Sequence, residues 1–128
     1  MGLRVLLAED ESLVAIALAD WLEAEGHSVT VTSDGAEAFD ALRGLGRVDL
    51  LLTDLRMPRP AGEDLIRAVW AERPGMPVLV VTGSAPPDGA AALRRTVGNG
   101  GPLALLHKPL DYESLAKALC LLTEPTLA

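Results

Sequence analysis

The sequence has one cysteine, fewer basic than acidic side chains and no long apolar run. The single thiol, Cys120, lies in an apolar stretch, so we expect it to pack in the core rather than to serve a redox or metal site. A net charge of −7 argues against a surface that binds nucleic acid or an anionic membrane. Every apolar run falls short of the roughly 20 residues that cross a bilayer. Partners are therefore expected to be proteins, cations or small anions.

The N-terminus lacks the pattern of a secretion signal. After four residues the chain enters a short apolar run and then an acidic one, with no cleavage pattern between them. The cytoplasm is the expected location. A length of 128 residues, of which 49% are hydrophobic, is enough for one domain with a sizeable core. We expect residues 1–128 to form that single domain, with no output domain attached.

Apolar runs alternate with amphipathic segments from one end of the chain to the other. This alternation is typical of repeated βα units on a parallel sheet. Each run is short, and each is bounded by glycine, proline or acidic residues. All but the second are expected to be buried on both faces. The predicted strands span residues 3–8, 28–31, 50–53, 78–82 and 103–106.

Five helices are predicted between and after these strands. The first has the clearest apolar stripe, which includes Leu13 and Ile16, and both Trp21 and Trp70 are expected in the core. The second follows the turn Ser33–Asp34–Gly35, which contains a capping side chain. The fourth is weak, because prolines precede it and glycines follow it. The predicted helices span residues 11–25, 36–43, 62–73, 88–97 and 111–122.

Five βα units on 128 residues leave few architectures. A closed eight-stranded barrel needs about twice this length, so an open, doubly wound parallel sheet remains. Ligands bind such sheets beyond the carboxyl ends of the strands, at the point where the strand order reverses.

Polar side chains with complementary chemistry stand at four predicted strand ends. Glu9 and Asp10 follow the first strand, Asp54 follows the third, Thr82 ends the fourth and Lys108 follows the fifth. Taken singly, each has a simpler explanation: acids favour a helix N-terminus, a threonine suits a strand and a lysine suits a loop. Asp54 resists that explanation, because a buried unpaired carboxylate is costly. The joint occurrence at one sheet edge favours a functional site.

With these residues in place, the whole chain resembles the receiver domain of bacterial response regulators, the phosphoacceptor module of two-component signalling. The resemblance implies a flavodoxin-like sheet in the order 2-1-3-4-5. Asp54 takes the place of the family's phosphorylated aspartate, and Thr82 that of the hydroxyl residue that contacts the phosphoryl group. The other matches are the acidic pair Glu9 and Asp10, the step Lys108–Pro109, and the loop residues Met57, Pro58 and Gly62.

The resemblance also implies a Mg²⁺ site and a protein donor of phosphate. Asp10 and Asp54 would be direct ligands of the ion, Glu9 would act largely through water, and the carbonyl of Arg56 would complete the protein ligands. Asp54 would take its phosphoryl group from a sensor histidine kinase or a histidine phosphotransfer protein, and Lys108 would contact that group. The phosphorylated protein would signal to a downstream protein, without nucleic-acid or membrane binding and without turnover on other substrates.

Three departures from the family pattern concern the output and the site. Leu105 stands three residues before Lys108, where the family usually has tyrosine or phenylalanine. The fourth helix is short and flanked by prolines and glycines, so residues 84–101 are expected to change most on phosphorylation. Arg56 is bulky and basic where smaller polar residues are common, and its side chain has either a role at the site or none.

Three other functions fit parts of the pattern. A Mg²⁺-dependent phosphohydrolase also uses an aspartate nucleophile at a strand end, but it typically needs a second aspartate two residues later, where this chain has Arg56. A flavin carrier of similar fold needs glycines and hydroxyls in a loop that is acidic here. A phosphorylation-independent interaction module would leave the complete set of site residues unexplained. His107 could accept phosphate in a relay, but the acidic residues accompany Asp54 instead.

Overall fold

Five short apolar segments pair into one parallel sheet. The computed structural model describes residues 2–57, 61–83 and 88–123 of the chain. Its strands are β1 (Arg4–Ala8), β2 (Ser28–Thr32), β3 (Leu50–Thr53), β4 (Val78–Thr82) and β5 (Leu103–His107). They lie in the order β2-β1-β3-β4-β5, which confirms the predicted doubly wound topology.

The strand order reverses between β1 and β3. β1 pairs with β2 on one side and with β3 on the other, so Val5 lies opposite both Val29 and Leu50. β4 and β5 then extend the sheet beyond β3. In open parallel sheets, the crevice at such a reversal lies beyond the carboxyl ends of the strands. The residues that follow β1 and β3 therefore share one hollow.

Five helices connect and follow the strands, and each begins close to its predicted start. They are α1 (Ser12–Ala24), α2 (Gly35–Gly44), α3 (Gly62–Glu72), α4 (Gly89–Val97) and α5 (Tyr112–Thr123). A side chain of the turn before α2 caps the helix as predicted, and it is that of Asp34, whose Oδ1 accepts the N–H of Glu37 at 2.8 Å. α4, predicted to be weak, is the shortest of the described helices, with nine residues.

Alternate strand residues face two separate hydrophobic clusters. Leu6, Leu51 and Val80 point to one side, where they pack with the buried faces of α2, α3 and α4. Leu7 and Leu79 point to the other side, where α1 and α5 cover them. Strands that are buried on both faces need near-continuous apolar runs, which β1, β3 and β4 have. This packing fixes the points at which those three strands end.

Several apolar residues lie nearer the surface than predicted. β5 is an edge strand and is mostly half-buried, because only β4 pairs with it. Leu13 and Ile16 are 84% and 58% exposed, because the buried face of α1 is centred on Leu18 and Leu22. The prediction that Cys120 is a core thiol is wrong: it is exposed, because α5 turns its other face to the core.

The two tryptophans differ in their packing. Trp70 is buried as predicted, and its indole N–H donates to the Met76 carbonyl at 2.8 Å. Trp21 is only half-buried, and its ring stacks on that of Tyr112 with 5.3 Å between the ring centroids. α1 and α5 therefore meet near the surface through an aromatic pair.

Some predictions lie outside the described residues. These are the prolines at positions 86 and 87, which precede α4, and Pro58 in the loop after β3. Among the residues that are described, every helix falls short of the length and apolar character that a membrane crossing requires.

Candidate functional site

Polar residues from four strand ends gather at and beside one hollow. Glu9 follows β1, Asp54 follows β3, Thr82 ends β4 and Lys108 follows β5. Glu9, Asp54 and Thr82 are buried. The hollow has a volume of about 330 Å³ and is lined by Asp10, Glu11, Asp54, Arg56, Thr82, Gly83 and Lys108.

Lys108 joins two buried carboxylates, that of Asp54 in the hollow and that of Glu9 beside it. Its ammonium lies 2.8 Å from Glu9 Oε1 and 2.8 Å from Asp54 Oδ2. Glu9 and Asp54 are only 3% and 4% exposed, so their charges would be costly without a cationic partner. A third carboxylate, that of Glu11, reaches the same ammonium at 3.3 Å from the exposed side.

Backbone N–H groups bind the second oxygen of each buried carboxylate. The N–H of Arg56 donates to Asp54 Oδ1 at 3.2 Å, and the N–H of Glu11 donates to Glu9 Oε2 at 3.1 Å. The N–H of Asp54 donates to the Ala8 carbonyl, which ties the end of β3 to the end of β1. Each carboxylate is thus held by the lysine on one oxygen and by the backbone on the other.

The two buried carboxyl groups have opposite pKa shifts although they share one lysine. Burial raises the pKa of Asp54, but the hydrogen bonds from Lys108, Arg56 N–H and Thr82 outweigh it and hold the pKa below its usual value. For Glu9 burial is the dominant effect, and its pKa lies above the usual value despite the bond from Lys108. Burial lowers the pKa of Lys108, but its bonds to both carboxylates outweigh this and raise the pKa. At neutral pH Asp54 is therefore ionised.

Three acidic residues in and beside the hollow form a group that suits a hard cation. Carboxylate oxygens of Glu9, Glu11 and Asp54 all lie within 4.8 Å of one another. Mg²⁺ prefers oxygen donors of this kind, so the residues present fit the predicted ion. Asp10, predicted as a direct ligand, is exposed and lines the hollow, but its carboxylate does not belong to that group of three.

Sequence reasoning missed Glu11 as a member of the site. Negative charge is favourable at a helix N-terminus, so a glutamate just before a helix is common. The presence of Glu11 was explained in this way. The structure instead turns its side chain toward Lys108, 97 positions further along the chain. The available signal was its place as the third acid in the run at positions 9–11.

Gly62 allows a close approach of α3 to the site. A Cβ at this position would lie 2.3 Å from the Asp54 carbonyl oxygen and 2.6 Å from the Leu55 Cα, so only glycine fits without a shift. The N–H of Gly62 donates to the Leu55 carbonyl at 3.0 Å. The start of α3 therefore packs directly against the backbone that presents Asp54.

Two residues that depart from the family pattern, Arg56 and Leu105, have different surroundings. Arg56 has an exposed side chain, and its backbone N–H is the group that contacts Asp54. Leu105 is half-buried in β5 and packs against the hydrophobic cluster on the side of α2, α3 and α4. Arg56 thus contributes to the site through its backbone.

An apolar groove lies beside the hollow. It has a volume of about 390 Å³, and its walls include Leu13 and Ala17 from α1 and Pro109 and Tyr112 from the chain after β5. Lys108 borders both the groove and the hollow. Exposed apolar surface of this kind is typical of a protein contact site.

Comparison with known proteins identifies relatives over most of the chain. The family model described as the response regulator receiver domain matches residues 5–120. The transcriptional regulatory protein GlrR of Escherichia coli is 36% identical over 119 residues, which cover 91% of this chain and 25% of GlrR. The transcriptional regulatory protein PdtaR of Mycobacterium tuberculosis is 34% identical over 117 residues, 91% of this chain and 54% of PdtaR. This chain thus spans about a quarter of the length of GlrR and about half of the length of PdtaR.

A solved receiver structure has the same fold. The response regulator receiver protein from Pseudomonas putida superposes with a TM-score of 0.81 at 29% sequence identity. The superposition covers 93% of this chain and 96% of that protein. Together with the strand order, this confirms the flavodoxin-like receiver topology.

Proposed function

We propose, because this chain belongs to the family of response regulator receiver domains, that Asp54 is its phosphoacceptor and that phosphorylation switches its contacts with other proteins. One observation carries the proposal: Asp54 is buried at the end of a core strand, and its charge is paired with Lys108. The donor is a phosphohistidine on a sensor histidine kinase or a histidine phosphotransfer protein. The cytoplasmic location predicted from the sequence would suit such a donor.

Asp54 acts as a carboxylate nucleophile. One of its oxygens attacks the phosphorus of the donor's phosphohistidine, an O–P bond forms, and the P–N bond to the imidazole breaks. The lowered pKa keeps Asp54 ionised for this attack. Hydrolysis of the aspartyl phosphate later returns the carboxylate. The chain therefore modifies only itself and does not turn over other substrates.

We assign a Mg²⁺ ion to the acids of the same hollow. Asp10 and Asp54 would bind it directly together with the Arg56 carbonyl, and Glu9 would act through water. When bound, the ion neutralises charge on the transferred phosphoryl group. Several carboxylates in one small hollow support this assignment, because a cation relieves the repulsion between them.

Lys108 and Thr82 would contact the phosphoryl group once it is attached. The Lys108 ammonium already lies 2.8 Å from the Asp54 carboxylate, so it can reach oxygens that are added there. Thr82 is buried and its hydroxyl hydrogen-bonds with Asp54. Phosphorylation would remove the charge of the Asp54 carboxylate and place negative charge on the phosphoryl oxygens, so the hydroxyl would turn toward these charged acceptors. That movement would pass to the chain after β4.

The protein donor would dock on the apolar surface beside the hollow. Leu13 and Ile16 are exposed on the side of α1 that borders the site, and Leu13 also lines the apolar groove. A donor must bring its phosphohistidine to Asp54, so its contact surface has to adjoin the hollow. The exposed apolar side chains of α1 meet that requirement.

Intact mass spectrometry tests the proposed function. Incubation with acetyl phosphate and Mg²⁺ should raise the mass by one phosphoryl group, and removal of the metal with a chelator should prevent this. D54N should show no increase, whereas H107N should react like the wild type. A persistent increase in D54N, or its loss in H107N, would reject Asp54 as the acceptor.

A further inference from the structure

Thr53 is the last residue of β3 and directly precedes Asp54. It follows three leucines and is fully buried, with 0% of its surface exposed. In the sheet it lies opposite Ala8 and Val80, so its side chain points to the side of α2, α3 and α4. Valine would fill the same space without burying a hydroxyl, which is costly unless it is hydrogen-bonded. The hydroxyl of Thr53 is therefore explained by the bond that it makes rather than by packing.

This bond goes to the main chain of the proposed phosphoacceptor. The Thr53 hydroxyl donates to the Asp54 carbonyl at 2.8 Å, whereas the Met57 sulfur, a weak acceptor, lies at 4.0 Å. The Cα of Gly62 covers the same carbonyl oxygen, because a Cβ there would come within 2.3 Å of it. A carbonyl that is shielded from water needs a donor from the protein, and Thr53 supplies one.

The orientation of this carbonyl is linked to the position of the Asp54 carboxylate. Asp54 Oδ1 accepts the N–H of Arg56 at 3.2 Å, an Asx turn in which the side chain bonds to the backbone two residues later. Such a turn forms only at particular dihedral angles of Asp54 and Leu55. The direction of the Asp54 carbonyl is set by the ψ angle of Asp54, so the bond from Thr53 fixes one of these angles. The Thr53 hydroxyl thus holds Asp54 by its main chain, while the Arg56 N–H holds it by its side chain.

We propose that Thr53 is a positioning residue for Asp54: its hydroxyl holds the acceptor turn in the conformation that presents the carboxylate to the hollow. This inference rests on the proposed function, because it concerns the same nucleophile. The walls of the hollow do not include Thr53, so it would act only through Asp54. Loss of one neutral hydrogen bond changes an equilibrium by about two- to tenfold, and we expect the phosphorylation rate to fall by that factor without the hydroxyl.

Variants of Thr53 separate the hydroxyl from the packing of the side chain. Thr53→Val removes the hydroxyl and keeps the branched shape, whereas Thr53→Ser keeps the hydroxyl and loses a methyl group. Thr53→Ala loses both, so its comparison with Thr53→Ser isolates the hydroxyl at equal loss of the methyl group. Thr32→Val is the matched control. Thr32 is also buried at the end of a strand, and its hydroxyl donates to the Leu7 carbonyl at 2.8 Å, away from the acceptor turn.

The experiment measures the initial rate of phosphorylation by acetyl phosphate at saturating Mg²⁺, under conditions where urea unfolding shows each chain to be folded. We expect Thr53→Val to react about two- to tenfold more slowly than the wild type, and Thr53→Ala to be slower than Thr53→Ser by the same factor. Thr53→Ser should stay within about twofold of the wild type, and Thr32→Val should match it. NMR of the unmodified chains gives a second readout that needs neither phosphate nor metal. The amide hydrogen of Arg56 should exchange with water about two- to tenfold faster in Thr53→Val than in the wild type, Thr53→Ser and Thr32→Val.

Three outcomes would overturn the inference. If Thr53→Val reacts at the wild-type rate, or if its Arg56 amide exchanges as in the wild type, the hydroxyl does not position Asp54. If Thr53→Ser is as slow as Thr53→Val, the site requires the shape of the side chain rather than its hydroxyl. If Thr32→Val slows the reaction equally, the loss of any buried hydrogen bond in the sheet has this effect. Failure of the proposed function looks different, because the wild type would then accept no phosphate while the Arg56 amide still responded to Thr53→Val.

Discussion

Lys108 is the residue on which two buried carboxylates depend. Lys108→Met keeps most of the side-chain volume but leaves Glu9 and Asp54 buried together without their cation. We expect this variant to lose about 3–5 kcal/mol of unfolding free energy at pH 7, the cost of leaving buried charges without their partner. Urea unfolding measures the loss. Lys117→Met removes an exposed lysine that lies 3.7 Å from Glu113, and it should stay within about 0.5 kcal/mol.

The same variant has a predicted pH dependence. In the wild type, the lowered pKa of Asp54 contributes stability above the usual carboxyl pKa of about 4, and this is lost as the pH falls through the lowered value. The raised pKa of Glu9 has the opposite sign: its contribution is present below its usual pKa and is lost as the pH rises. Without Lys108, protonation of the Glu9 and Asp54 carboxyl groups is favoured, because their buried charges lack a cationic partner. The deficit of Lys108→Met should therefore shrink below about pH 4, and a deficit that is the same at pH 3.5 and pH 7 would contradict this explanation.

Gly62 is the residue whose lack of a side chain shapes the acceptor loop. Gly62→Ala would force a Cβ against the backbone of Asp54 and Leu55, so we expect a loss of about 1–3 kcal/mol and slower phosphorylation by acetyl phosphate. Gly44→Ala is the matched control: its Cβ would meet nothing within 4 Å, and it should be neutral or stabilising by up to about 1 kcal/mol. Equal stability and equal rates in both variants would contradict the close approach.

Side-chain direction at single residues is what the sequence predicts least well. The residue types at the four strand ends indicated a site, because few structures need a carboxylate, a hydroxyl and a lysine at one edge. Which acid of the run at positions 9–11 turns inward depends on backbone angles at the start of α1, and periodicity does not determine these. Glu11 was missed for this reason, and Cys120 was placed on the wrong face of α5.

At the level of elements, α1 carries an apolar surface that the core does not use. Leu13→Ser should cost little stability, because the side chain is 84% exposed. We expect it to slow phosphotransfer from a protein donor by tenfold or more relative to the rate with acetyl phosphate, which needs no docking surface. Phosphotransfer from a histidine kinase that phosphorylates the wild type measures this ratio. An unchanged ratio would reject α1 as the docking surface.

α4 is the element expected to respond most to phosphorylation. Leu105 has no aromatic ring to turn, so movement of Thr82 must be absorbed by the chain that follows β4. α4 buries only Leu93 and Val97, whereas the chain after it is tied down by Arg94, which donates to the carbonyls of Gly98 and Gly101. Within residues 84–101, we therefore expect the change to be largest in α4 itself.

Amide hydrogen exchange with and without beryllofluoride tests the expectation for α4. Protection should change more from Gly89 to Val97 than in any other helix. Unchanged exchange in α4, together with large changes in α1 or α2, would show that the signal leaves the site by another route. Residues 84–87 are part of the predicted segment and lie outside the described residues.

For the whole molecule, the fold was predictable because its signal repeats. Five apolar runs bounded by turn residues occur at intervals that only repeated βα units explain, and the strands and helices follow them closely. The errors lie at the periphery. β5 and the outer side of α1 are as apolar in sequence as the centre, but β5 pairs only with β4 and is mostly half-buried, and Leu13 and Ile16 face away from the buried side of α1.

The central claim is that Asp54 forms an aspartyl phosphate. Borohydride reduces an acyl phosphate to an alcohol and leaves a free carboxylate unchanged, so it converts a phosphorylated aspartate to homoserine. After reaction with acetyl phosphate and Mg²⁺ and then borohydride, peptide mass spectrometry should find homoserine at position 54 and unmodified aspartate at position 10. Homoserine elsewhere, or phosphate on His107 with position 54 unchanged, would contradict the account.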